Sequence, residues 1–189
     1  NSFRVVTIGD AVKKTSLDGF IIEAANNDLV GNGSGGGLFL DAREGRSCQP
    51  TIRHCAFRNN RATGGGAVGM EANQGGKLAP TFEQCQFENN SRTDAGGGLF
   101  YDGSSSTEAS IQLTSCQFTS NQSNQHGGAI ALRSINNDTE LHTYLDSCTF
   151  EENNTQGQGG ALWLQDSDNA KSQVRLRSCQ FSENQSDQQ

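Results

Sequence analysis

Long apolar runs are missing from this chain. No stretch approaches the roughly 18 consecutive apolar residues of a membrane-spanning helix, and only 32% of the 189 residues are apolar. Helical periodicity is missing too, since no run of about ten good helix formers carries apolar positions three and four apart. No N-terminal secretion signal is visible, because Asn1-Ser2-Phe3-Arg4-Val5-Val6 already alternates as a strand does. An excess of positive charge is also lacking. With 21 acidic and 14 basic residues the net charge is −7, which argues against nucleic acid and against insertion in, or binding to, an anionic membrane. Six cysteines occur, but in no C-x-x-C or C…H spacing of zinc type.

What is present is repetition. A C-x-F-x-x-N phrase recurs as Cys55/Phe57/Asn60, Cys85/Phe87/Asn90, Cys116/Phe118/Asn121, Cys148/Phe150/Asn153 and Cys179/Phe181/Asn184. A glycine phrase recurs as Gly36-Gly37-Leu38-Phe39, Gly65-Gly66-Ala67-Val68, Gly97-Gly98-Leu99-Phe100, Gly127-Gly128-Ala129-Ile130 and Gly159-Gly160-Ala161-Leu162. The cysteines lie 30, 31, 32 and 31 residues apart, and the second glycines 29, 32, 30 and 32. Self-similarity at a fixed period of this size marks a solenoid.

Each unit holds short apolar pieces cut by Gly, Asn, Ser and Asp, which is the punctuation of strands and turns. Ile111-Gln112-Leu113, Cys116-Gln117-Phe118 and Ile130-Ala131-Leu132 each alternate with period 2. The expected fold is therefore all-β: a parallel β-helix solenoid of about six turns of roughly 30 residues, with three short strands per turn and turns about 4.8 Å apart. Cys and Phe of each phrase face the interior, and the Asn residues form a buried amide ladder where the chain turns. The glycine pairs supply tight corners. Ile52, Phe82, Leu113, Leu145 and Leu176 make a further apolar column, and Val68/Met70, Ile130/Leu132 and Leu162/Leu164 another. In the turns of Phe39 and Phe100 the phase is obscured by Asp41 and Asp102.

These phrases resemble the repeats of polymorphic outer membrane proteins, defined by G-G-A-(I/L/V) and F-x-x-N tetrapeptides. Asn60, Asn90, Asn121, Asn153 and Asn184 match the asparagine of one tetrapeptide, and residues 65–67, 127–129 and 159–161 match the other. The likeness runs over about residues 17–187, with Leu in place of Ala at Leu38 and Leu99. It implies a right-handed parallel β-helix displayed on a bacterial surface, often as an adhesin passenger.

The chain reads as one domain, 1–189, with variant first turns over 1–34 and regular repeats over 35–187, and as a piece of a longer array. Within the variant part, Leu17-Asp18-Gly19-Phe20-Ile21-Ile22 reads as one strand, and Leu29-Val30-Gly31-Asn32 as a degenerate remnant of the C-x-F-x-x-N phrase. Five stacked cysteines are expected to be buried thiols, and Cys48, outside their column, to be exposed. Of six Asn-x-Ser/Thr sequons, at Asn32, Asn89, Asn121, Asn137, Asn153 and Asn184, three fall on ladder positions, leaving Asn137 as the convincing acceptor.

For chemistry the sequence offers little. His54, His126 and His142 occupy different repeat phases; His126 takes a pre-glycine corner filled elsewhere by Gly64, Gly96 and Gln158, and reads as a solvated turn. Asp41 and Asp102 share a phase, with Met70 between them; two turns apart, or about 10 Å, they amount at most to an inverting-type carboxylate pair or a calcium contact. No catalytic residue, metal site or cofactor is assigned. Trp163 should point outward if Leu162 and Leu164 point in, and could stack on a sugar. The expected function is a non-enzymatic extracellular scaffold, a stalk or adhesin segment at the cell surface. Loops of uneven length are expected at 72–79, 103–108, 134–142 and 165–173; those at 72–79, 103–108 and 134–142 would meet a host-surface protein or glycan, and the neighbours along the axis would be further segments of the same chain or copies of itself. A self-stacking filament subunit and a carbohydrate-binding or carbohydrate-cleaving β-helix are the alternatives.

Overall fold

The computed structural model describes residues 4–10, 15–27, 34–135, 138–167 and 169–188. One coil shows the plan. Leu99–Ser104 leads to Glu108–Thr114, then Gln117–Thr119, then a two-residue piece, Gln122–Ser123. Each pairs in parallel with its counterparts in the neighbouring coils, giving four sheets, numbered 1 to 4 in that order. The three longer strands are those the alternation predicts, and sheet 4 is a short fourth ladder just beyond the asparagines. Along sheet 1, Val6 pairs with Leu38, Leu38 with Val68, Val68 with Leu99, Leu99 with Ile130 and Ile130 with Leu162. Six coils therefore stack as a β-solenoid, with no helix among the described residues.

The interior follows from like residues meeting their copies. Phe57, Phe87, Phe118, Phe150 and Phe181 stack face to face, with ring centroids 4.4–5.1 Å apart and planes within 9°. Stacking at this spacing adds to the 1.5–3 kcal/mol or so gained by burying each of the first four rings. Beside them the asparagine amides are fully used. Asn90 Nδ2 donates to the Phe57 carbonyl (2.9 Å) and to Asn121 Oδ1 (3.0 Å), while Asn90 Oδ1 accepts from the Asn60 side chain and backbone N–H (both 3.0 Å). The same set continues through Asn121 and Asn153 to Asn184. A buried amide with every donor and acceptor paired carries no desolvation penalty.

Two sharp bends per coil come from single left-handed residues, one before each cysteine (His54, Gln84, Ser115, Ser147, Ser178) and one before each ladder asparagine (Asn59, Asn89, Ser120, Glu152, Glu183). The asparagine thus follows the corner residue and ties it down. Sheet 2 is split in two coils, Ser47–Cys48 from Thr51–Arg53 and Lys77–Leu78 from Thr81–Glu83. Pro50 and Pro80 stand in the gaps, and proline has no N–H for the ladder. Where Ile111 takes their place, Glu108–Thr114 is continuous.

Several sequence expectations need correction. The register pairs Leu38 and Leu99 with Val68, so Gly37 and Gly98, not Leu38 and Leu99, stand where other coils have Ala67, Ala129 and Ala161. The true glycine pairs there are Gly35-Gly36 and Gly96-Gly97. Gly35, Gly65, Gly96, Gly127 and Gly159 all have positive φ, and a Cβ on any of them would strike the carbonyl three residues on. A run of three glycines allowed the frame to slip by one. In the correct frame Leu38, Leu40 and Ala42 point inward, as do Leu99 and Tyr101.

In the first described coil the strand at 17–22 is broken by a corner at Gly19 (φ 75°). The degenerate C-x-F-x-x-N phrase is Phe20, Ile22 and Ala25: the Phe20 carbonyl is used as that of Cys55 is, Ile22 pairs with Phe57, and Ala25 N–H donates to Asn60 Oδ1. The proposed remnant at 29–32 lies outside the described residues, as do the sequon asparagines Asn32 and Asn137. Asn89, a left-handed corner, is an exposed sequon residue, so Asn137 is not the sole candidate acceptor. Cys48 is buried rather than exposed, because alternation in Ser47-Cys48 turns it inward, and its thiol reaches the Ile8 carbonyl (3.3 Å). All six cysteines are free thiols. Finally, the long loops shrink, because strands run on into the segments expected to be loops: connections of 73–76 and 105–107 remain in two coils, and Ile130–Ile135, Glu140–Asp146, Leu162–Asp166 and Lys171–Arg177 take up most of 134–142 and 165–173.

Candidate functional site

The outward face of sheet 1 carries the densest chemistry. Asp41 pairs across the sheet with Glu71, and Glu71 with Asp102, which pairs with Arg133. The residue between the two aspartates is thus Glu71, not Met70, which is buried in the core. The corrected frame turns two distant carboxylates into three on adjacent coils.

Three stacked carboxylates at strand spacing would repel one another. Arginines relieve this at each level. Asp41 takes both a side-chain fork from Arg43 (2.9 and 3.0 Å) and a contact from Arg46 (3.1 Å). Glu71 lies 3.4 Å from Arg43 and accepts from the Ser34 hydroxyl. Asp102 is forked by Arg133 (3.2 and 2.5 Å). Burial pushes the Asp41 carboxyl up, but the hydrogen bonds and charges of Arg43, with that of Arg46, outweigh it and leave the pKa below its ordinary value. The Arg43 and Arg133 guanidinium groups are raised in turn, first by their hydrogen bonds to Asp41 and Asp102.

The same face has its own small apolar layer. Phe39, Gly69, Phe100, Ala131 and Trp163 share one outward column. Phe100 is buried beneath the Arg92 guanidinium, 3.8 Å from ring centroid to Cζ, and Phe39 beneath Arg4 at 4.1 Å. Arg92 itself is 3% exposed; its N–H groups reach the Thr63 and Ala95 carbonyls and Asp94 (3.2 Å). Burial lowers its pKa to about 9. Between this overhanging segment and the ends of the sheet 1 strands lies an open cleft of about 480 Å³. Glu71, Asp102 and Arg133 form its floor, Thr63, Gly64 and Asp94 one wall, and Asn73 and Ser104 the other.

Other candidates stay apart. His54 is exposed, bonded to Asp18 and Gln84 (both 2.8 Å), and its pKa is raised first by the Asp18 bond. His142 lies on sheet 2. His126, aligned with Ala95 rather than Gly96, is half-buried and stacks on Trp163 (4.2 Å, 9°). Trp163 does face outward, but it is half-buried against His126 and the apolar layer of Phe100 and Ala131. Among the described residues no group of three or more His, Cys, Asp or Glu could hold a metal ion. The sequence reading missed Glu71, Arg43, Arg92 and Arg133. An even step of 30–31 residues from Asp41 through Glu71 and Asp102 to Arg133 was the available signal.

Compared with known proteins, the chain matches the family model of the Chlamydia polymorphic membrane protein repeat at residues 115–133 and 147–165. Each window starts just before a ladder cysteine and ends in the following sheet 1 strand, so the matched unit is one C-x-F-x-x-N corner with its glycine corner. Neither a curated protein nor a solved structure gives a match to the chain.

Proposed function

Since the chain is built from repeats of the polymorphic membrane protein type, we propose that it is a non-enzymatic scaffold of a bacterial cell surface, a stiff rod segment that serves adhesion by presenting its outer face. The continuous phenylalanine stack and asparagine ladder carry this reading, since they join every coil from Ile22 to Asn184 into one body. Repeats joined in this way resist local opening, because each coil contacts both neighbours. No helix among the described residues is long and apolar enough to cross a membrane. Against catalysis by Asp41 stands its pairing with Arg43 and Arg46, which holds its pKa below the ordinary value, whereas glycoside cleavage needs a carboxyl held as a proton donor.

The test is to coat beads with the protein and measure their attachment to host cells against beads coated with a β-solenoid of unrelated sequence. Attachment above that control supports the reading, and equal attachment rejects it.

A further inference from the structure

The cleft on sheet 1 can be read for the ligand it suits. It spans four coils, from Arg43 to Arg133, or about 14 Å at the strand spacing. Its charged groups are paired in sign: the carboxylates of Glu71, Asp94 and Asp102 lie beside the guanidinium groups of Arg43, Arg92 and Arg133. A free anion meets three carboxylates there, and a cation meets three guanidinium groups. An apolar ligand finds no wall, because Phe39 and Phe100 are 1% and 3% exposed beneath their arginines. An added peptide strand has no edge to join, since the floor belongs to the interior of a six-stranded sheet.

A hydroxyl both donates and accepts. A row of hydroxyls therefore matches a surface on which donors and acceptors alternate within a few ångströms, with Asn73 and Ser104 adding groups of both kinds at the rim. The ion pairs also fix these groups beforehand, since the fork of Arg133 on Asp102 and the bond from Ser34 to Glu71 hold the side chains in place before any ligand arrives.

We propose that this cleft is a glycan-binding site that takes a short stretch of neutral, polyhydroxylated sugar lying along the solenoid axis, with Glu71 and Arg133 as its central contacts. It gives a ligand class to the outer face of the scaffold and rests on that reading only for why such a ligand would matter.

The experiment is a calorimetric titration of the purified chain with short neutral oligosaccharides of glucose, galactose and mannose. The expected result is saturable binding to at least one series, weakened about tenfold by Glu71→Gln, the effect of losing one charge-assisted hydrogen bond. Arg133→Lys, which keeps the charge but not the fork, should weaken it comparably, and serves if Glu71→Gln disturbs the fold. Glu108→Gln, on the outer face of sheet 2, should leave binding unchanged. Absence of saturable binding in all three series overturns the proposal. So does wild-type affinity in both cleft variants, or displacement of the sugar by inorganic sulfate, which would mark an anion site. Bead attachment measured on the same variants separates the two claims. Attachment without glycan binding overturns the cleft alone, whereas glycan binding without attachment overturns the adhesive role and leaves the cleft.

Discussion

The inner column of phenylalanines and asparagines and the outer column of carboxylates are built on the same step, yet they obey opposite rules. Inside, identity is favourable: rings stack on rings, and each amide both donates and accepts, so a neutral group can pair with its own copy without limit. Outside, identity fails, because a carboxylate only accepts. The column Asp41, Glu71, Asp102 is stable only with arginines brought in at each level, and it ends where Arg133 takes over. Repetition makes the rod, and departure from repetition makes the site.

The largest effects should come from breaking the inner rule. Phe118→Ala leaves a gap between Phe87 and Phe150 and should cost about 3–5 kcal/mol in chemical denaturation. By contrast, Ser106→Ala, at an exposed left-handed turn residue, should stay within about 0.5 kcal/mol. Equal tolerance at the two positions would contradict the stacked core. Asn121→Ala strands the side-chain and backbone donors of Asn90 and the Phe87 carbonyl, and should cost about 3 kcal/mol. A circular-dichroism melt in which Asn121→Ala matches wild type would show that the ladder contributes little.

A smaller difference tests the glycine frame. Gly96→Ala forces a side chain into a left-handed corner and against the Leu99 carbonyl, and should cost more than the roughly 1–2 kcal/mol of the conformation alone. Gly98→Ala places a methyl where Ala67, Ala129 and Ala161 already stand, and should cost less. A reversed order of their melting temperatures would restore the frame in which Leu99 takes the alanine position.

The outer column should matter least to stability. Asp102→Asn removes a partly exposed pair and should cost no more than about 1 kcal/mol. Acid should act through Asp41 in the same modest way. Its folded pKa lies below the ordinary carboxylate value of 3.8, so the stabilisation is present above about pH 4 and is lost as pH falls through the folded value. Denaturation midpoints of wild type and Asp41→Asn should therefore converge on acidification. A gap that widens as pH falls would show that the carboxylate is not held by its arginines.

Sequence made the inner rule legible because it repeats one residue type at one interval. Cys, Phe and Asn could be assigned to columns without coordinates. The glycine corners were harder to read, since three consecutive glycines fit two frames, and the uneven spacing of the second glycines was the trace of the slip. The first coil was harder still. Phe20, Ile22 and Ala25 keep the shape of the phrase while changing every residue in it. Of the cleft only the even step from Asp41 through Glu71 and Asp102 to Arg133 was legible, because its other parts come from four coils, and Arg92 reaches it from sheet 4.

The asparagine ladder has a direction. Asn60 donates to Asn90, Asn90 to Asn121, Asn121 to Asn153 and Asn153 to Asn184, and no rung donates the other way. Amide dipoles aligned head to tail polarise one another, so each added coil strengthens those before it, and the rod acquires a chemical polarity distinct from that of its backbone. A coil joining this column can do so in one orientation only, presenting an oxygen to one neighbour and an N–H to the other. The ladder is thus an arrow as well as a fastening.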